Sequence, residues 1–131
     1  MKLTNFDVPD EGDVIIVIAW IGGKYKLKLV LDTAATHTTI DSNALFISGY
    51  QLKDSVGETE IETSNGIVIV ELYNIQNFEC LGIKKENLQV QVYDFAAHGV
   101  NSEYHGMVGL NFLKDHRFCI DMIKGEITIN P

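Results

Sequence analysis

Leu29-Val30-Leu31-Asp32-Thr33-Ala34-Ala35-Thr36 is the stretch that decides how this chain reads. Three consecutive aliphatic residues have the look of a buried strand end, and a turn of small residues follows at once. Upstream, Tyr25-Lys26-Leu27-Lys28-Leu29 alternates, the pattern of a strand wet on one face and buried on the other. The switch to continuous apolar residues marks where that strand enters the core, so Asp32 emerges from the interior. Much further on, Gly106-Met107-Val108-Gly109-Leu110-Asn111-Phe112-Leu113 repeats the arrangement, with glycines around an apolar pair and then a helix start.

Working outward, residues 14–20 and 25–31 flank Ile21-Gly22-Gly23-Lys24, a hairpin turn with glycines where positive φ is needed. Asp41-Ser42 is placed to cap a short helical turn through Ala44-Leu45. Residues 56–63 are polar and acidic, Ser64-Asn65-Gly66 is a hairpin turn, and residues 67–73 form a strand. Residues 75–80 and 88–95 are further strands, separated by a lysine-bearing turn around Gly82. Residues 96–105 lack periodicity and read as a loop. Asn111 is expected to cap a short helix over 112–116. Residues 117–122 and 126–129 are strands joined at Lys124-Gly125. Helical signal is confined to 39–45 and 111–116, and there is no repeat or linker. The expectation is a single all-β domain spanning residues 1–131, a barrel or sandwich of short strands.

Composition narrows the chemistry. A chain of 131 residues with 46% hydrophobic content supports one buried core. No apolar stretch reaches helical membrane-spanning length, and the N-terminus lacks a basic-then-apolar leader, so a cytoplasmic protein without a membrane partner is expected. The net charge of −8 offers no basic cluster for a phosphate backbone, which argues against nucleic acid. Cys80 and Cys119 each sit in apolar stretches and read as buried free thiols of a reducing compartment. His37, His98, His105 and His116 have no metal-ligand spacing, so neither metal nor cofactor is expected. Ser64 and Ser102 lack a nucleophile elbow. Gly22-Gly23 precedes a strand, which is no phosphate cradle.

Taken together, the Asp32 and Gly106–Leu113 segments resemble the two signatures of the retropepsin-like aspartic proteases. These are Asp-Thr/Ser-Gly-Ala after a strand and an Ile-Leu-Gly-like segment near the C-terminus. The resemblance spans about residues 13–129, including the Gly-x-Asn-x-Leu pattern at Gly109, Asn111 and Leu113. It implies a closed, β-barrel-like acid protease fold with one or two short helices and one lobe per chain. A single motif then implies a homodimer, with Asp32 of each chain forming the catalytic dyad and Thr33, Ala34 and Ala35 shaping it. Ala34 stands where the family usually has glycine. The resemblance further implies a flap over residues 60–68. Thr63, Ser64, Asn65, Gly66 and Ile67, with Val108 in the cleft, would meet substrate. Gly106, Gly109 and Asn111 would support the active-site loop from beneath. Thr36 and Leu110 are uncharged where retroviral members often pair an aspartate with an arginine.

The implied activity is aspartic endopeptidase action on peptide or protein substrates. Ala34 keeps open a second reading, a dimer of the same fold that binds peptides or proteins without cleaving them. A monomeric ligand-binding barrel, with Asp32 a plain turn residue, is the remaining alternative.

Overall fold

Gly22 and Gly23, at φ of 64° and 67°, turn β2 (Ile16–Ile21) straight into β3 (Tyr25–Leu31) in the computed structural model, which describes residues 1–98 and 103–131. The two strands pair in register from Ile21↔Tyr25 to Ile16↔Val30. Along β3, Leu27 and Leu29 are buried while Lys26 and Lys28 are exposed, as the alternation requires.

The other elements in chain order are β1 (Lys2–Asn5), β4 (Thr39–Asp41), α1 (Ser42–Ile47), β5 (Gly57–Thr63) and β6 (Gly66–Ile75). They continue with β7 (Phe78–Cys80), β8 (Ile83–Lys85), β9 (Leu88–Tyr93), β10 (Gly106–Val108), α2 (Leu110–Leu113), β11 (Phe118–Asp121) and β12 (Glu126–Ile129). Among the described residues nine strands form one sheet in the order β5-β6-β9-β4-β10-β3-β2-β7-β8, and three form another, β1-β12-β11. Among the described residues neither sheet closes on itself, so the fold is barrel-like without being the closed barrel expected. Among the described residues the fold is all-β with two short α-helices, and single 3-10 turns sit at Leu52–Asp54 and Ala96–His98. Both sheets contribute to one core, in which Leu29, Ile40, Tyr73, Phe78, Phe112 and Ile127 are fully buried. Phe78 and Phe112 meet edge to face at 5.5 Å.

Several local expectations are corrected. Residues 39–41, helical by sequence pattern, are a strand because β4 is held on both sides, parallel to β9 and antiparallel to β10. Residues 75–80 are not one strand: β6 ends at Ile75 and β7 begins at Phe78. β1, without a strand signal because its side chains are mostly exposed, is recruited by β12. Asp41 holds the N-cap position of α1 without capping it, and its Oδ1 accepts the Phe95 N–H at 3.2 Å. Cys80 is buried as expected, but Cys119 is exposed on β11, whose one partner in the sheet is β12. Burial pushes the Cys80 thiol up to about 12. The aperiodic stretch 96–105 falls partly, and Ser102 wholly, outside the described residues. No helix among the described residues is long and apolar enough to cross a membrane.

Candidate active site

β10 lies parallel to β3, with Val108 opposite Leu31, and the pairing runs one residue further: the Asp32 N–H donates to Val108 O at 3.1 Å. Asp32 therefore leaves the sheet at a strand end that is fixed from two sides, since Leu31 N–H also donates to Ile15 O at 2.9 Å. The side chain is half-buried, and its Oδ1 accepts the Ala34 N–H at 2.9 Å while its carbonyl accepts the Ala35 N–H at 3.2 Å. This self-bonded turn leaves Thr33 and Ala34 exposed at the tip and Ala35 partly covered. Among the described residues other than glycine, positive φ occurs at Leu81, Asn87 and Asp115, so Ala34 has an ordinary backbone. Its methyl group adds bulk at the tip without left-handed strain.

A buried relay fixes the far end of the loop. Gly109 N–H donates to Thr38 Oγ1 at 3.1 Å, and Thr38 Oγ1 in turn donates to Asn111 Oδ1 at 2.9 Å. Asn111 Oδ1 also accepts the Thr38 N–H at 2.7 Å, and its amide donates to Gln89 O at 2.7 Å. Asn111 thus sits inside α2 rather than capping it; Gly109 takes the N-cap position. The first N–H groups of α2 find loop carbonyls instead, Leu110 to Ala35 O at 2.8 Å and Asn111 to Thr36 O at 3.2 Å. A β-carbon on Gly109 would lie 2.7 Å from Ala35 O and from His37 C and O. One on Gly106, at φ 145°, would collide with Thr39 O. Both glycines are needed for close approach of backbones. The other end of α2 is held by Lys85, whose Nζ donates to Phe112 O at 2.6 Å and lies 5.0 Å from the Phe112 ring. Burial draws this ammonium below the usual lysine range.

Beside the loop lies a cleft of about 360 Å³, lined from the Ala34–His37 segment, β4, β5, β9 and β10. Thr63 reaches it; Ser64, Asn65, Gly66 and Ile67 do not line it. The hairpin turn comprises Ser64 and Asn65, neither at positive φ, and φ of 108° falls on Gly66 just after it. Ile67 pairs with Glu62 and is 65% exposed on the face turned away from the cleft. Val108, expected in the cleft, is fully buried in the core; the strand alternation turns its neighbour Met107 to the cleft instead. Ile61, from within the expected flap, also lines it, as do Gln91, Tyr93 and Phe95, which carry no local signal of doing so. The period-2 pattern of residues 88–93 marks them as a two-faced strand, but only the parallel pairing of β9 with β4 brings one face to the loop. A larger open cavity of about 610 Å³ lies between the N-terminal segment and β2, lined by residues such as Asp7, Ile18 and Lys28, with none from the Asp32 turn. No group of three potential metal-ligating side chains occurs among the described residues.

A family model described as aspartyl protease matches residues 17–112, a span that holds both the Asp32 turn and the segment beneath it. Among solved structures, the chain is similar to a retropepsin-like aspartic protease from Rickettsia conorii. That match has a TM-score of 0.71 and 16% identity, and covers 99% of each chain. A search of curated proteins finds no significant match.

Proposed function

This chain belongs to the aspartyl protease family, and from that premise we propose that it is a homodimeric aspartic endopeptidase in which Asp32 of each protomer forms the catalytic pair. The observation that carries the proposal is the placement of Asp32 at an interior strand end, clamped by Val108 and backed by the Thr38–Asn111 relay. Two carboxylates at hydrogen-bonding distance share one proton, because like charges that close cannot both ionise. The ionised member takes a proton from a water molecule as that water attacks the scissile carbonyl. The protonated member gives its proton to the carbonyl oxygen; the proton taken from water then passes to the leaving amine, and a hydroxyl of the collapsing intermediate returns a proton to the pair. The chain supplies one such turn, so the second comes from a symmetry mate. Thr33 and Ala34, exposed at the tip, are the side chains available to meet the other protomer's loop. The β5–β6 hairpin, through Ile61 and Thr63, roofs the cleft in which a peptide lies extended. A reducing cytoplasm is the proposed compartment, in keeping with two free cysteines.

Purified dimer is expected to cleave unstructured polypeptide at mildly acidic pH, to be blocked by pepstatin-like inhibitors and to lose activity in Asp32→Asn. A confirmed dimer that cleaves no member of a broad peptide library between about pH 3 and 7 would remove the endopeptidase reading. The second reading, a binding module without cleavage, is favoured by one feature: the Ala34 methyl projects where the partner's loop would approach. Gain of activity in Ala34→Gly would support that reading. The ordinary backbone of Ala34 favours the first.

A further inference from the structure

Eighteen acidic residues against ten basic ones make this an anionic protein, yet among the described residues none that lines the cleft beside the Asp32 turn is a carboxylate. Among the described residues lining it, the one side chain able to carry a positive charge is His37. Its Nδ1 is engaged by Thr36 Oγ1 at 3.1 Å, and its Nε2 has no hydrogen-bond partner among the described residues. Where Nδ1 accepts from the threonine hydroxyl, Nε2 carries the ring proton and is a free donor. Gln91 lines the same cleft with a side-chain amide that makes no hydrogen bond among the described residues. Its strand is tied to the residue after His37, through Gln91 N–H to Thr38 O at 2.9 Å. The remaining walls are mostly apolar, with Ala35, Ile61, Phe95 and Met107 among them.

A side chain that fills this space best has an aliphatic stem and an anionic tip. Resting on the reading of the cleft as the peptide groove, we infer that His37, assisted by Gln91, is a specificity-determining residue that selects a glutamate side chain of the substrate. The stem lies against the apolar walls, and the carboxylate accepts from His37 Nε2 and the Gln91 amide. Such a charge-assisted hydrogen bond in a partly enclosed cleft is stronger than a neutral one. A lysine at the same substrate position meets the His37 donor and no carboxylate among the described lining residues, so it is disfavoured.

The test pairs binding with cleavage. Extended peptides carrying a non-hydrolysable reduced bond, with Glu, Gln, Leu or Lys scanned through each position, are titrated against the dimer by fluorescence anisotropy. The matching cleavable peptides are then assayed. Glutamate at one position should bind about tenfold tighter than leucine, an effect seen in KM rather than kcat. That preference should vanish in His37→Leu and pass to lysine in His37→Asp. Cleavage without glutamate preference at any position overturns this inference and leaves the endopeptidase reading intact. Survival of the preference in both variants overturns it as well. Glutamate-dependent binding that needs His37, without any cleavage, upholds the inference and removes the endopeptidase reading. A dimer that binds no peptide overturns both.

Discussion

Asn111 Oδ1 accepts two hydrogen bonds from one residue, the N–H of Thr38 at 2.7 Å and its hydroxyl at 2.9 Å. Thr38 is fully buried, so this single oxygen satisfies two donors that water cannot reach. Replacing Asn111 with leucine leaves both unpaired and frees Gln89 O. The expected loss of stability is roughly 2–4 kcal/mol, read by denaturant unfolding. Asn111→Asp keeps the acceptor for Thr38 but sets its second oxygen against Gln89 O, so it should cost less than leucine at acidic pH, where that carboxyl is protonated and can donate. Equal losses in the two variants would show that the relay does not stabilise the loop.

Glycine and alanine exchange in opposite directions at the two ends of the loop. Gly109→Ala forces a methyl to within 2.7 Å of three backbone atoms, which must move. At least about 1–3 kcal/mol of stability should be lost, together with the loop geometry. Gly106→Ala adds a φ of 145° to a backbone collision and should not yield folded protein. Ala34→Gly, in contrast, relieves no backbone strain and should lower stability by only about 0.5–1 kcal/mol through chain entropy. Thermal melts of Gly109→Ala and Ala34→Gly, with the soluble yield of Gly106→Ala, check the ranking.

Alkaline pH should unfold this protein early. The buried Cys80 thiol is raised to about 12 from an ordinary 9.0, by burial first. Tyr73, fully buried and donating to the Glu71 carboxylate, is raised to about 12 from 10.0, again by burial first. In the unfolded chain both groups release their protons sooner, so the stability tied to their neutral forms is intact below pH 9. It is lost as pH climbs from 9 toward 12. The slope from each group approaches about 1.4 kcal/mol per pH unit. Cys80→Ala should flatten the part of the decline that begins near pH 9, measured as unfolding free energy against pH, despite a lower starting stability.

Gly66 tests the hairpin over the cleft. A β-carbon there would meet nothing within 4 Å, so Gly66→Ala probes its φ of 108° alone. The expected cost is about 1 kcal/mol or slightly more. A substrate-covering role would add a change in KM that a mere surface hairpin would not show.

How far the residues alone lead is clearest from particular elements. The Gly22-Gly23 turn and the alternation of β3 are local patterns, and both are present in the fold. Asn111 has the sequence signature of a cap because a short polar side chain before a helix usually bonds its own backbone. Its actual partners, Thr38 and Gln89, lie 73 and 22 residues away. β4 looks helical in sequence for the same reason, since its strand identity is conferred by β9 and β10. Cys119 has apolar neighbours in sequence, but an edge strand leaves it uncovered. The backbone of Ala34 cannot be read from its letter, and it is the ordinary φ that makes this departure from the family pattern tolerable to the fold.

The braces that Val108, Gly109 and Asn111 place on the Asp32 turn cross more than half the chain. During synthesis, residues 29–36 emerge long before those three exist to hold them, and a chain ending short of Gly106 would leave Asp32 N–H, Ala35 O and the Thr38 donors without those partners. Closure over so long a sequence separation comes late in folding. The turn is therefore completed only once residues 106–111 have been made, and a polypeptide that lacks them holds an unbraced Asp32 loop.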